Sequence, residues 1–230
     1  MSADRLFQIV SIAGFAALAG ALAAHYFRIV RPSLATAPAA AGDPSIRRYG
    51  LLERVVLIGL GASLAVLAVT GFAPALLGRR LEGVLLMVHV PAGGAMAFFA
   101  AVAAALWAGD CRFAAHDGHW WRRCCCRQTV AAGRFDGPQK AAFWAVLALS
   151  LPVTLTMMLS MVPAFGPEGL ETLHEFHRYG ALLLTMVVLV HWHHAITVRR
   201  GSLHALVAGK VARAWAERYH SLWAAGRADR

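Results

Sequence analysis

Residues 177–198 read HRYGALLLTMVVLVHWHHAITV. After Arg178, residues 179–198 contain no Asp, Glu, Lys or Arg. A helix needs about 20 apolar residues to cross a hydrocarbon core about 30 Å thick, and this stretch supplies them. His177 and His191 bracket most of it. Their 14-residue separation is nearly four helical turns at about 100° and 1.5 Å per residue, so both fall on one face, roughly 21 Å apart. A single segment thus predicts a membrane helix with an imidazole near each end.

Four more stretches have the same character: Leu6–Val30, Val55–Leu77, Val84–Ala108 and Ala141–Pro163. None shows the alternation of a membrane barrel, and a helix satisfies its own backbone in lipid. The 230-residue chain is 59% hydrophobic and 15% charged, with a formal net charge of +10. That balance excludes a disordered chain and argues against a water-soluble domain. Its basic residues lie between apolar stretches, so no nucleic-acid partner is expected. The fold class read here is all-α integral membrane: a four-helix bundle with one additional N-terminal helix. Membrane lipid is the surrounding partner.

Lys and Arg fall unevenly. Segments 28–54, 108–140 and 199–230 hold 18 of the 22, leaving Arg5, Arg79, Arg80 and Arg178 on the other side. The positive-inside rule puts the richer side in the cytoplasm, the N-terminus outside and the C-terminus inside, as a multi-pass protein of a bacterial inner membrane. Ala21-Leu22-Ala23 resembles a signal-peptide cleavage site, but the long apolar stretch and the following Arg28 and Arg31 favour a retained helix. The expected organisation is an N-terminal helix in 1–31, a cytoplasmic Pro/Ala linker in 32–50, a four-helix membrane domain in 51–200, and a basic amphipathic tail in 201–230.

Ionisable residues at membrane depth are costly and mark function. His25, His89, His177 and His191 are the ones that matter. His89 and His177 share a depth near the outer ends of two spans. They are candidate ligands of a b-type haem, because imidazole is a common axial ligand and no Cys-x-x-Cys-His attachment signal is present. The plainer alternative is that each is a hydrogen-bonded interface histidine. Gly93, Gly94 and Ala95 would let a helix or a flat cofactor come close. His193 and His194 are read as headgroup-facing or hydrogen-bonding residues.

Two further segments complete a pattern: Phe135-Asp136-Gly137-Pro138-Gln139-Lys140-Ala141-Ala142-Phe143-Trp144 opening the fourth span, and GKVARAWAERYH from Gly209 to His220 with Trp223 after it. With the 14-residue His pair, these resemble the gamma subunit of membrane-bound formate dehydrogenases. That subunit is part of a wider cytochrome b family serving nickel–iron hydrogenases and thiosulfate reductases. The resemblance covers about residues 47–225. It implies one or two haems b, an iron–sulfur or cytochrome redox partner at the outer face, and a quinone site near the inner haem. His89 and His177 would hold the outer haem iron and His191 would be one ligand of the inner haem. Asp136 and Gln139 would meet the quinone, where Asp136 also suits a helix N-cap. The other inner ligand should stand about 14 residues before Gly71, where this chain has Leu57. His25, on the additional helix, is the candidate to replace it.

Cys111, His116, His119 and Cys124, followed by Cys125 and Cys126, form a conceivable zinc set of no standard spacing. Past Val198 the tail is read as one basic helix carrying Leu203, Leu206, Val207, Val211 and Trp215. No triad, phosphate loop or metalloprotease motif is present. The expected function is a membrane-anchoring b-type cytochrome that relays electrons between the outer partner and the quinone pool, with no substrate chemistry of its own. Its rivals are an anchor or assembly subunit with one haem or none, favoured by Leu57, and a transporter, disfavoured because no span pairs acids with bases.

Overall fold

The computed structural model describes residues 2–34, 45–119 and 131–228. Five of its helical segments are long and apolar enough to cross a membrane: Ala3–Val30, Leu51–Leu76, Gly83–Trp107, Gly137–Ser160 and Pro167–Val198. The elements in order are α1 (Ala3–His25), α2 (Arg31–Leu34), β1 (Ser45–Arg47), α3 (Leu51–Leu76), α4 (Gly83–Trp107), α5 (Gly137–Ser160), α6 (Pro167–His193), α7 (Ser202–Ala208), β2 (Lys210–Ala212), α8 (Arg213–Tyr219) and α9 (Ser221–Ala228). π-helical turns, Tyr26–Val30 and His194–Val198, directly follow α1 and α6.

The ends of the long helices explain where they differ from the hydropathy reading. α5 begins four residues early, because Asp136 and Gln139 cap it reciprocally. The Gln139 amide donates to Asp136 Oδ1 and the Asp136 amide to Gln139 Oε1, each at 3.1 Å, with Pro138 in the first turn where its missing N–H costs nothing. α6 begins twelve residues early, at Pro167, and its first turns carry Glu168, Glu171 and Glu175. Hydropathy stops at such charges; the helix does not.

The chain folds as two compact units. The first comprises Met1–Gly20, Val56–Ala105 and Ala145–Leu189. Its core is Phe7, Phe72 and Leu182, with Phe15, Ala68, Ala75, Leu76, Tyr179 and Met186 against it. Phe72 stacks on Phe7 at 6.2 Å and meets Phe15 edge-on at 5.1 Å. Gln8 Nε2 donates to the Leu76 carbonyl at 2.8 Å, and Arg178 pairs with Asp4 at 2.7 Å. These contacts hold α1 against α3 and α6 through both apolar and polar groups.

The second unit comprises Ala21–Val55, Leu106–Trp144 and Val190–Arg230. The part of the linker expected to be irregular ends in β1, which pairs antiparallel with β2, Ile46 opposite Val211. The tail is therefore not one helix. It breaks at Gly209, whose φ of +71° favours glycine and where a Cβ would lie 2.8 Å from the Tyr49 carbonyl. The Gly209 carbonyl accepts the amides of Arg48 and Tyr49 at 2.8 and 3.1 Å. Val211, expected on an amphipathic helix at the membrane surface, is buried in the strand pair. Arg134 bridges Glu53 at 2.5 Å, Asp110 at 2.9 Å and the Arg48 carbonyl at 2.9 Å, and Trp107 also donates to Glu53.

Candidate functional site

In the first unit, the rings of His89 (α4) and His177 (α6) face each other with centroids 6.3 Å apart and planes at 71°. Each is held by one nitrogen. His177 Nδ1 lies 3.0 Å from the Val153 carbonyl. A carbonyl only accepts, so Nδ1 carries the hydrogen and Nε2 keeps its lone pair. His89 Nδ1 lies 2.7 Å from Thr70 Oγ1. The Val66 carbonyl, also 2.7 Å from that hydroxyl, offers an acceptor for the hydroxyl proton, and with the proton given there the hydroxyl accepts from His89. His89 is then also the Nδ1–H tautomer with a bare Nε2. Anchoring one ring nitrogen to leave the other basic is how metal-bound histidines are usually oriented.

The spacing suits an iron between the rings. A first-row metal–imidazole bond is about 2 Å and the ring centre sits about 1 Å behind its nitrogen, so two imidazoles on one metal stand roughly 6 Å apart centre to centre. Glycines make the approach possible. A Cβ on Gly71 would meet His89 Cε1 at 3.2 Å, and one on Gly180 would meet Val153 Cγ2 at 2.8 Å. Gly93 is one turn past His89 on the same face of α4, and a Cβ there would meet no atom within 4 Å. Among the described residues neither Nε2 has a hydrogen-bond partner, and Gly93 leaves room along the His89 face of α4, which fits a flat metal-bearing group. The sequence pointed to the two histidines and Gly93, and to Gly71 only as a register mark for Leu57; it gave no part to Thr70, Val153 or Gly180. The 14-residue spacing places His177 and His191 on one face of α6 but says nothing about what holds each ring.

In the second unit His25 lies against His193 and His194. Its Nδ1 lies 3.0 Å from His193 Nε2, the ring centroids 5.2 Å apart, and its ring stacks on His194 at 5.9 Å. Among the described residues no ring contact joins His25 to His191. His191 lies within electrostatic reach of Arg199 and Asp136. The two buried charges Asp136 and Arg199 form an ion pair, with Arg199 Nε 2.7 Å from Asp136 Oδ2 and Arg199 Nη2 on the same oxygen. Burial alone would raise the Asp136 carboxyl, but Arg199 and the Gln139 amide outweigh it and hold the group below the ordinary carboxylate range. His220, fully buried, donates Nδ1–H to the Gly133 carbonyl at 2.9 Å. Burial, with Arg48 nearby, pushes it down to about 3, so it is neutral at pH 7.

Of the conceivable zinc set, Cys124 and its neighbours Cys125 and Cys126 lie outside the described residues. Cys111 is buried, and desolvation with the Asp110 charge pushes its thiol up to about 12. Asp117 is committed to Lys140 at 2.7 Å and to the Ala114 amide at 2.7 Å. Among the described residues no group of three or more His, Cys, Asp or Glu is placed to hold a metal ion.

Five helices long and apolar enough to cross a membrane make an all-α fold consistent with an integral membrane cytochrome b. No family model matches the chain. It is similar to the cytochrome b556(fdo) subunit of formate dehydrogenase from Escherichia coli K12, 30% identical over 95 residues, or 40% of this chain and 44% of that subunit. It is also similar to the cytochrome b556(Fdn) subunit of the nitrate-inducible formate dehydrogenase from the same strain, 25% identical over 95 residues, 40% of this chain and 43% of that subunit. The match thus spans less than half the length of these relatives. Within that span the relatives support a formate dehydrogenase cytochrome b family.

Proposed function

We propose that this chain is a membrane-anchoring cytochrome b subunit of a respiratory oxidoreductase, in which His89 and His177 would hold one haem b. The observation that carries this reading is the pair itself: two imidazoles 6.3 Å apart, each held through Nδ1 and, among the described residues, with no hydrogen bond to Nε2. When bound, the haem supplies a one-electron carrier whose potential the axial ligands and their hydrogen bonds tune. The chain's part is to hold both rings in one tautomer and to keep the site among apolar helices.

The remaining assignments follow the resemblance. An iron–sulfur or cytochrome redox subunit docks at the outer face, towards which the N-terminal halves of α4 and α6 carry His89 and His177. Quinone exchanges electrons at the inner face of a bacterial inner membrane, the side marked by 18 of 22 basic residues. Asp136 and Gln139 frame that end; their capping box and the Arg199 pair support a fixed polar patch there. An inner haem would take His191, with His25 as its second ligand. A second reading, a subunit with the outer haem alone, is favoured by one contact: His25 is hydrogen-bonded to His193. Leu57 points the same way.

A pyridine haemochrome assay on quantified, purified protein tests the reading. Two haems b per chain support the full relay, one supports the outer site alone, and none refutes the cytochrome.

A further inference from the structure

The two rings of the pair are anchored by acceptors of different kinds. His177 uses a main-chain carbonyl of α5, which no side-chain substitution removes. His89 uses a side chain, the Thr70 hydroxyl of α3. Thr70 is buried, and its proton goes to the Val66 carbonyl at 2.7 Å, with the Leu67 carbonyl further off at 3.4 Å. A hydroxyl that is already donating is polarised into a better acceptor. Gly71 follows directly, and the space it leaves allows His89 Cε1 to sit 3.2 Å from where a Cβ would be. Thr70-Gly71 is thus a short cradle that both fixes the ring and pulls on its N–H.

We infer that Thr70 is the positioning residue that sets the basicity of His89, and through it the potential of the group held between His89 and His177; this rests on the haem reading above. An acceptor at Nδ1 increases electron density at Nε2, which stabilises the more highly charged ferric state more than the ferrous. Removing the acceptor shifts the balance towards ferrous iron. It also leaves a buried N–H without a partner, which weakens retention of the metal group.

The test uses the full chain with its native haem complement and three variants. Thr70→Val keeps the shape and removes the oxygen; Thr70→Ser keeps the oxygen and removes a methyl; Thr70→Ala removes both. Each is titrated spectroelectrochemically, and haem retention is measured by transfer to an apo-acceptor protein. In Thr70→Val the outer haem should shift towards ferrous by about tenfold in the equilibrium, which is a rise of about 59 mV for one electron. Its retention should weaken by about 10–100-fold. Thr70→Ser should stay near wild type on both readouts. If Thr70→Val keeps its haem at the wild-type potential, the inference is overturned. If Thr70→Val loses haem altogether, Thr70→Ser decides: retention supports the hydroxyl, and equal loss means that Thr70 acts by packing alone. A wild-type chain without haem overturns the proposed function instead, a separate result.

Discussion

Gly180→Ala is a one-methyl change whose cost can be worked from the structure. The added Cβ would sit 2.8 Å from Val153 Cγ2, where ordinary contact begins at 3.4 Å, so α5 and α6 must part by about 0.6 Å or Val153 must leave its rotamer. Parting by that amount takes the His177 Nδ1···Val153 O contact from 3.0 Å to roughly 3.6 Å, beyond hydrogen-bonding range. Overpacking costs about 1–3 kcal/mol and the lost hydrogen bond about 0.5–1.5 kcal/mol. The better helix propensity of alanine returns about 1 kcal/mol. The net is about 2 kcal/mol, or roughly 4–8 °C in melting temperature for a chain of this size. The assay is thermal unfolding of the detergent-solubilised protein, followed by circular dichroism. Because the clashing atom belongs to Val153, Gly180→Ala/Val153→Ala should melt close to Val153→Ala alone. A Gly180→Ala protein that melts at or above wild type refutes the close-approach argument. So does a double variant showing no recovery.

Other consequences are open to simpler measurements. Asp136→Asn leaves the buried Arg199 without its counter-charge and should cost about 3–5 kcal/mol, read as a lower melting temperature at pH 7. In the wild type that carboxylate's contribution should be present above pH 4, near its unfolded value, and fade as pH falls through its lower folded value. His220 is neutral in the fold, so the unfolded chain gains a proton there as pH drops below about 6.5, and stability should fall from that point towards pH 3. His220→Asn keeps a donor for the Gly133 carbonyl and should flatten that acid slope. Cys111, held as the neutral thiol, should remain unlabelled by iodoacetamide at pH 8 in the folded protein, as read by peptide mass mapping.

Much of this fold was legible because hydropathy and charge report directly on what lipid tolerates. The five spans and the uneven Lys and Arg follow from that, as does the weight given to a few intramembrane histidines. What escaped was set by other physics. The start of α6 at Pro167 is hidden by Glu168, Glu171 and Glu175, which read as loop although they extend a helix. The strand pair β1–β2 joins residues more than 160 positions apart and only three long on each side, too short for a periodic signal. Thr70, Gly71, Val153 and Gly180 matter through the rotation of one helix against another, which the sequence of either helix does not contain. The contact of His25 with His193, the last residue of α6 before its π-helical turn, likewise depends on how two helix ends meet.

The central claim is that His89 and His177 together hold one haem iron. The most direct measurement is the low-spin electron paramagnetic resonance signal and haem stoichiometry of the purified chain, compared with His89→Ala and His177→Ala. The account predicts a bis-imidazole low-spin signal in the wild type and the loss of one haem, the same one, in both variants. A full haem complement and an unchanged low-spin signal in either variant would contradict it.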